Sequence, residues 1–453
     1  MPDSRDLTEG PVRGHLARLG LPMVLGIVGV LSISLADAYF LGRLGTDELA
    51  AISYTFPVVL TLQSLGIGLS AGAASVASRA IGAGRTEEAK RLATDSVVLA
   101  VLLIAALTAL GLLVVRPLFS LLGAEGAVLD AVAGYMRVWF FGLPFLVVPM
   151  VANGLIRANG DSVAPSLIMV LGALINVGLD PLLIYGLGPF PRLEVEGAAW
   201  ASLLSRAVTF AAALGVLVFR ERLLTAALPA ARDLLSSWAR VMAVGAPAAL
   251  ATSVNPLAIT VVTGLLAGFG DQTVAAFGVA TRIESLACVP MLALSSAIGP
   301  VAGQNWGKGR PGRAAEAMRL SDLFSLGWSA LIALGAWLAA PLVAGAFTDD
   351  AGVAAEVALY LRVTALSLAG YGVVVTASAA YNATGRALQG LCMTSLRSLV
   401  LYVPLAGAGV LLGAPVWAFA GIAAANVASG ALVAWWSLAR TNAETCPGVP
   451  ARA

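Results

Sequence analysis

The 453-residue chain contains a single histidine, His15, in a polar stretch ahead of the first apolar run. A histidine-based catalytic triad or a multi-histidine metal centre cannot be built from it. Cysteine is almost as scarce. Cys288, Cys392 and Cys446 are odd in number and widely spaced, with two of them inside apolar runs, so neither a disulfide framework nor a metal knuckle is expected. Aromatic residues make up only 7%, too few for a nucleic-acid stacking platform. Charged residues are 11%, against about 25% in a soluble globular domain. No nucleophile and base pair stands out among the apolar segments, so the chain does not read as an enzyme. No bound cofactor, metal or nucleic-acid partner is expected.

What is abundant is apolar sequence, 59% of residues with a mean hydropathy of +0.90. Runs of about 20 predominantly apolar residues, the length that crosses a bilayer as helix, occur twelve times: near 19–41, 50–78, 92–115, 132–156, 163–187, 197–219, 240–267, 274–302, 320–345, 355–380, 389–412 and 416–438. The chain is also written twice at one offset. Leu21-Pro22 recurs as Ala246-Pro247, Gly82-Ala83-Gly84-Arg85 as Gly307-Lys308-Gly309-Arg310, Tyr135-Met136-Arg137-Val138 as Tyr360-Leu361-Arg362-Val363, and Gly160 as Gly385, each pair 225 positions apart (247 minus 22, for example). The pattern predicts an all-α polytopic membrane protein, with twelve transmembrane helices in two six-helix lobes related by pseudo-two-fold symmetry along the membrane normal around a central cavity. The expected organisation is a cytoplasmic N-terminal segment over 1–18, an N-lobe over 19–219, an inter-lobe linker over 220–239, a C-lobe over 240–438 and a cytoplasmic tail over 439–453. The first apolar run is too long for a signal peptide and lacks a small-residue cleavage site, so it reads as a retained helix.

Alternate loops on one side hold nineteen Lys and Arg, among them Arg79, Arg85, Arg157, Arg220, Lys308 and Arg386; the other side holds only Arg43, Arg116 and Arg192. The positive-inside bias places both termini in the cytoplasm of a multi-pass inner or plasma membrane protein. The net charge of +2 is a residue of that bias.

An ionisable group inside a spanning helix costs about 2.5–3.5 kcal/mol on insertion scales, so each is a functional candidate. Asp37 in the first run and Asp180 in the fifth sit at similar depth in the outer half of the N-lobe. Asn176 and Asp180 are four apart and share a helical face. Pro181 removes a backbone donor beside the acid and is the expected hinge. The C-lobe copies of Asp37 and Asp180 are Val262 and Leu405, which argues against a purely architectural role for the acids. Two carboxylates at one depth in a low-dielectric pocket cannot both be comfortably ionised, and titrate as a unit. Arg282 and Glu284, two apart, face different sides of the eighth helix and are candidates to line a substrate cavity. Tyr135 and Asn153, both in the fourth run, are candidates for the same cavity. The structural alternative is that neighbouring hydroxyls or an arginine such as Arg206 satisfy the acids; otherwise Arg206 and Arg397 are buried in their runs with nothing nearby in sequence to say more. Pro57, Pro144 and Pro149 suggest bends, and Gly66, Gly68 and Gly72 suggest close helix packing, not a dinucleotide fingerprint.

These features resemble the multidrug and toxic compound extrusion (MATE) transporters over essentially all twelve helices. The most specific stretches are Asn153-Gly154-Leu155-Ile156-Arg157-Ala158-Asn159-Gly160-Asp161 and Asn176-Val177-Gly178-Leu179-Asp180-Pro181, supported by Gly303-Gln304-Asn305-Trp306-Gly307. The chain looks like the DinF-type branch, whose aspartate in the first helix and Asn-x-x-x-Asp in the fifth match Asp37, Asn176 and Asp180. The resemblance implies cation-coupled export of small organic molecules, drug-like or metabolic, cationic or amphipathic, with the N-lobe acids taking protons and with a role for Arg282. Where relatives of that branch carry a threonine near the start of the sixth helix, this chain reads Gly197-Ala198-Ala199. Sodium coupling through the same oxygens, or a lipid-linked precursor flippase using Arg206, Arg282 and Arg397, remain alternatives. The expected partners are a small-molecule substrate and the lipid bilayer, and a monomer is expected.

Overall fold

The computed structural model describes residues 6–41, 46–225 and 231–444. Arg43, Pro229, Cys446 and the basic residues at 5 and 452 lie outside them. Among the described residues the chain is helical throughout, without strands: α1 (Val12–Leu41), α2 (Thr46–Gly82), α3 (Thr86–Leu121), α4 (Gly126–Ala158), α5 (Val163–Tyr185), α6 (Glu194–Gly215), α7 (Ala231–Leu266), α8 (Asp271–Ala287), α9 (Val289–Gly307), α10 (Pro311–Gly345), α11 (Ala351–Thr364), α12 (Leu368–Ala383), α13 (Ala387–Ser395), α14 (Val403–Leu411) and α15 (Pro415–Glu444). Eleven spans, some of them joined helices, are long and apolar enough to cross a membrane; α8 and α9, bent by 46° at Cys288, together make a twelfth. Helices satisfy every backbone group internally, as lipid requires. Their outer faces carry leucines that water would not tolerate in such number, among them Leu113, Leu121, Leu342 and Leu411 at 79–88% exposure.

The chain forms two compact units. One comprises residues 22–249 and the other residues 6–21 with 250 onward. The first ten residues of α1 therefore belong with the second unit and the rest with the first. Helix α7 starts at Ala231, so half of the expected 220–239 linker is helix.

The repeat is exact in backbone conformation where it must be. Gly84 and Gly309 both adopt φ of +73°, a left-handed turn that costs a side chain but not glycine. The following amides, Arg85 N–H to the Ala80 carbonyl (3.0 Å) and Arg310 N–H to the Asn305 carbonyl (2.8 Å), repeat as well. In the first unit, α2 crosses α7 at Gly68 and Gly72: a Cβ on Gly68 would strike the Gly245 carbonyl and Ala249, and one on Gly72 the Val241 carbonyl. Those glycines serve close packing, as their spacing suggests.

The polar loops after α4 and α9 are clasps. Asp161 accepts from the amides of Val163 (2.8 Å) and Ala164 (3.2 Å) at the start of α5, while Asn159 donates to Glu221 (2.7 Å) and Arg220 pairs with Asp161 (3.0 Å). In the second unit, Gln304 accepts from the Leu7 amide (3.1 Å), Asn305 donates to the Leu7 carbonyl (3.0 Å), and Arg313 donates to Asn305 (2.8 Å). Cys288 is buried and Cys392 exposed, and they are not bridged.

Overpacking at the α2–α7 crossing gives the first expected outcome. Gly68→Val should lower stability by about 1–3 kcal/mol, read as a drop in the melting temperature of the purified protein. Gly264→Ala, on the same α7 but with open space at its Cβ, should leave the melting temperature unchanged or raise it.

Candidate coupling site

Helix α5 places Asn176 and Asp180 one turn apart, both fully buried. The Asn176 amide donates to Ser202 Oγ on α6 at 3.3 Å. Ser202 thus supplies the α6 hydroxyl that Gly197-Ala198-Ala199 lacks, one turn further along. Pro181 lies inside α5, so the Val177 carbonyl has no helical donor one residue past Asn176.

Asp37 of α1 is half-buried and faces Asp180 at hydrogen-bonding range. Neither oxygen of Asp180, nor Asp37 Oδ1, nor Asn176 Oδ1, has a donor. Two ionised carboxylates at this range repel and offer no proton to each other; one proton held between them would satisfy both. Arg206, one turn beyond Ser202 on α6, lies within electrostatic reach of Asp37 and of Tyr135. Its guanidinium stands 5.7 Å from the centre of the Trp139 ring, and Trp139 is one turn from Tyr135 on α4. The site is therefore Asp37, Asp180, Asn176, Ser202, Tyr135 and Arg206, drawn from four helices of the first unit.

Three sequence candidates lie elsewhere. Asn153 is on the same face of α4 as Tyr135 but 18 residues along, about 27 Å at 1.5 Å per residue, so the two do not share a cavity. It is buried with Oδ1 unpaired. Arg282 is exposed on the second unit and makes no hydrogen bond to a described residue, whereas Glu284 turns inward and accepts from the Tyr360 hydroxyl at 2.6 Å. The two do face different sides, as their spacing requires. Tyr360, the copy of Tyr135, is packed edge-on between Phe277 and Phe419 at 5.8 and 5.1 Å, an architectural setting that Tyr135 does not share. Val262 and Leu405 sit in or against the apolar core of the second unit.

A family model described as MatE matches residues 22–182 and again 247–407, two matches at the 225-residue offset of the internal repeat. The chain belongs to the MatE family. It is similar, at 40% identity over 90% of each chain, to a protein of Shewanella oneidensis named as an FAD transporter. At 25% identity, over 87% of this chain and 86% of the relative, it is similar to the multidrug export protein MepA of Staphylococcus aureus. Among solved structures, a mutant of the Vibrio cholerae MATE transporter VcmN superposes with a TM-score of 0.90 at 27% identity, covering 95% of this chain and 97% of that one. A MOP-superfamily transporter from Pyrococcus furiosus gives 0.89 at 28%, covering 98% and 99%. This MatE protein is thus a multi-pass membrane transporter of small compounds, with twelve spanning helices in two six-helix lobes, and not an enzyme.

Sequence reasoning singled out the acids, Asn176 and Tyr135 and offered neighbouring hydroxyls or Arg206 as structural partners of the acids, but did not name Ser202 or join it with Arg206 as one set. The available signal was their spacing of four, which puts a hydroxyl and a cation on one face of α6. If Arg206 is the counter-charge of the acids, Arg206→Gln should cost about 3–5 kcal/mol, because it leaves an uncompensated buried charge. Adding Asp37→Asn should recover about 1–3 kcal/mol of that loss. A double-mutant cycle on melting of the purified protein measures both.

Proposed function

We propose that this MatE protein is a proton-coupled exporter, of the DinF-like branch, of an anionic organic molecule of the flavin dinucleotide class. The observation that carries the coupling is the donorless pair Asp37–Asp180. With Arg206 nearby, the three charges sum to minus one, so one monovalent cation neutralises the site. Oxygens already at hydrogen-bonding range hold a proton without moving, whereas sodium would have to part them and collect several more oxygen ligands. Half-buried Asp37 is the entry for the proton and fully buried Asp180 its end point. Loss and gain of that proton change the charge beside Pro181, where the backbone of α5 is weakest, and so couple protonation to the shape of the pocket.

The cargo is inferred from the FAD-transporter relative, whose similarity spans 90% of both chains and exceeds that of the multidrug exporters by a wide margin. This reading prefers an anionic cargo to the cationic or amphipathic one expected from the sequence. Spans with Arg206, Arg282 and Arg397 set among few acids are consistent with it. The orientation that goes with export places both termini in the cytoplasm of the cell membrane, as the basic loops indicate.

The test is release of FAD from proteoliposomes loaded with it. Acidifying the outside should accelerate release; Asp37→Asn and Asp180→Asn should each abolish the acceleration with normal insertion, while Val262→Ala and Leu405→Val should not. An outside-positive potential should also speed release, because negative charge leaves. Release that follows a sodium gradient and ignores pH would replace the proton with sodium. Failure to release FAD under any gradient, with release of a cationic dye instead, would overturn the cargo.

A further inference from the structure

The second unit contains a charged cluster that the coupling site does not use. Arg397 lies on a π-helical turn over Leu396–Tyr402, a local widening of the helix that re-aims side chains and recurs at functional sites. It is 4% exposed. Its Nε donates to Asn426 Oδ1 at 2.9 Å and its Nη1 to Asn255 Oδ1 at 2.8 Å, and the rings of Tyr371 and Tyr402 stand 4.6 and 5.5 Å from its carbon. Its Nη2 makes no hydrogen bond to a described residue. Glu284 sits one turn before the bend at Cys288; Tyr360 occupies its Oε2, and its Oε1 has no partner among the described residues. Both side chains line one cavity, of about 60 Å³ for water-sized occupants, with Tyr371, Cys288 and Leu292 among its walls. One water needs about 10–15 Å³ on such a measure, so the space takes the edge of a ring and not a whole dinucleotide.

Apart from Tyr360, whose copy is Tyr135, the charged and polar groups at the core of the cluster have no counterpart in the other copy. At the matching positions, 225 lower, stand Val59 for Glu284, Gly172 for Arg397, Val30 for Asn255 and Leu146 for Tyr371. The cluster is therefore not a duplicated architectural device. Its two charges cancel. An incoming anion or cation would leave one charge uncompensated in a low-dielectric wall, whereas a neutral group that carries an acceptor beside a donor satisfies Nη2 and Oε1 together.

We propose that this cavity binds the imide edge of a planar heterocycle, a ring carbonyl beside a ring N–H, with Arg397 Nη2 donating to the carbonyl and Glu284 Oε1 accepting from the N–H. The isoalloxazine ring of a flavin has such an edge, so the inference rests on the flavin reading of the cargo and assigns the part of the molecule that the second unit reads.

The experiment titrates the purified full-length protein with lumiflavin, which has the ring and no phosphate, and with N3-methyllumiflavin, which lacks the ring N–H, following flavin fluorescence. The wild type should bind lumiflavin at least about tenfold more tightly than the methylated ring, the expected effect of one hydrogen bond to a charged group. Glu284→Gln keeps an acceptor for Tyr360 and turns a donor toward the ring N–H; it should weaken lumiflavin binding about tenfold and erase the preference, at an unchanged melting temperature. The wild-type comparison alone decides the matter if that variant does not fold. No lumiflavin binding, equal binding of the two rings, or a preference that survives in a folded Glu284→Gln would each overturn the site. FAD export without ring discrimination sinks this proposal and leaves the export reading intact; ring discrimination without FAD export does the reverse.

Discussion

A carboxylate in a hydrocarbon environment must be given a donor, a cation or a proton, and the first unit is arranged around two that have no donor. Asp180 is sealed from solvent, Asp37 is only half-sealed, and three of their four oxygens, both of Asp180 and Oδ1 of Asp37, are buried without a donor. Arg206 compensates one charge. The second is left to whatever cation arrives. The neighbouring groups make sense as consequences of that deficit: Ser202 holds the Asn176 amide so that its carbonyl stays available, and Pro181 withholds a backbone amide at the same level. A fully satisfied network would be rigid and inert. This one leaves three carboxylate oxygens without a donor, which is what the proposed coupling role requires.

The duplication separates what the fold needs from what the chemistry needs. Turn geometry is kept in both copies, down to the same positive φ at Gly84 and Gly309, because any other residue there would strain the backbone. Charge is not kept. Asp37, Asp180 and Arg206 correspond to Val262, Leu405 and Ala431, while Glu284 and Arg397 correspond to Val59 and Gly172. A buried ion costs several kcal/mol unless compensated, so a copy that does not use the ion sheds it. The two units share a scaffold and divide the polar work.

Much of this was legible in the sequence, for identifiable reasons. Span length, apolar content and the repeat are one-dimensional signals, and an acid inside an apolar run is conspicuous by its cost, which is why Asp37, Asn176 and Asp180 stand out. Side-chain partners across helices are not one-dimensional. Nothing in the run around Arg206 says that it faces Asp37 and not lipid, whereas the 18-residue separation of Tyr135 and Asn153 along one helix was in the sequence to be read. The polar motifs near Asn159 and Gln304 were visible, but their partners, Glu221 and Leu7, are remote in sequence, so their structural use as clasps was not.

On the proton-coupled reading proposed above, the sign of the cargo's charge decides what the proton is for. Moving one charge through the membrane potential is worth about 2.3 kcal/mol per 100 mV, and one pH unit about 1.4 kcal/mol per proton. For a cation leaving the cell the potential opposes export and the proton must supply the difference. For a cargo with two phosphate charges the potential already favours exit, by about 4.6 kcal/mol at 100 mV, twice the single-charge figure. The proton is then not the main driving force. Its value lies in making the charge state of Asp37 and Asp180 a condition of the conformational step, so that the pathway does not become an open leak for anions. A half-buried acid beside a fully buried one, sharing a proton as proposed, suits that gating task better than a site built to harvest energy from many ions.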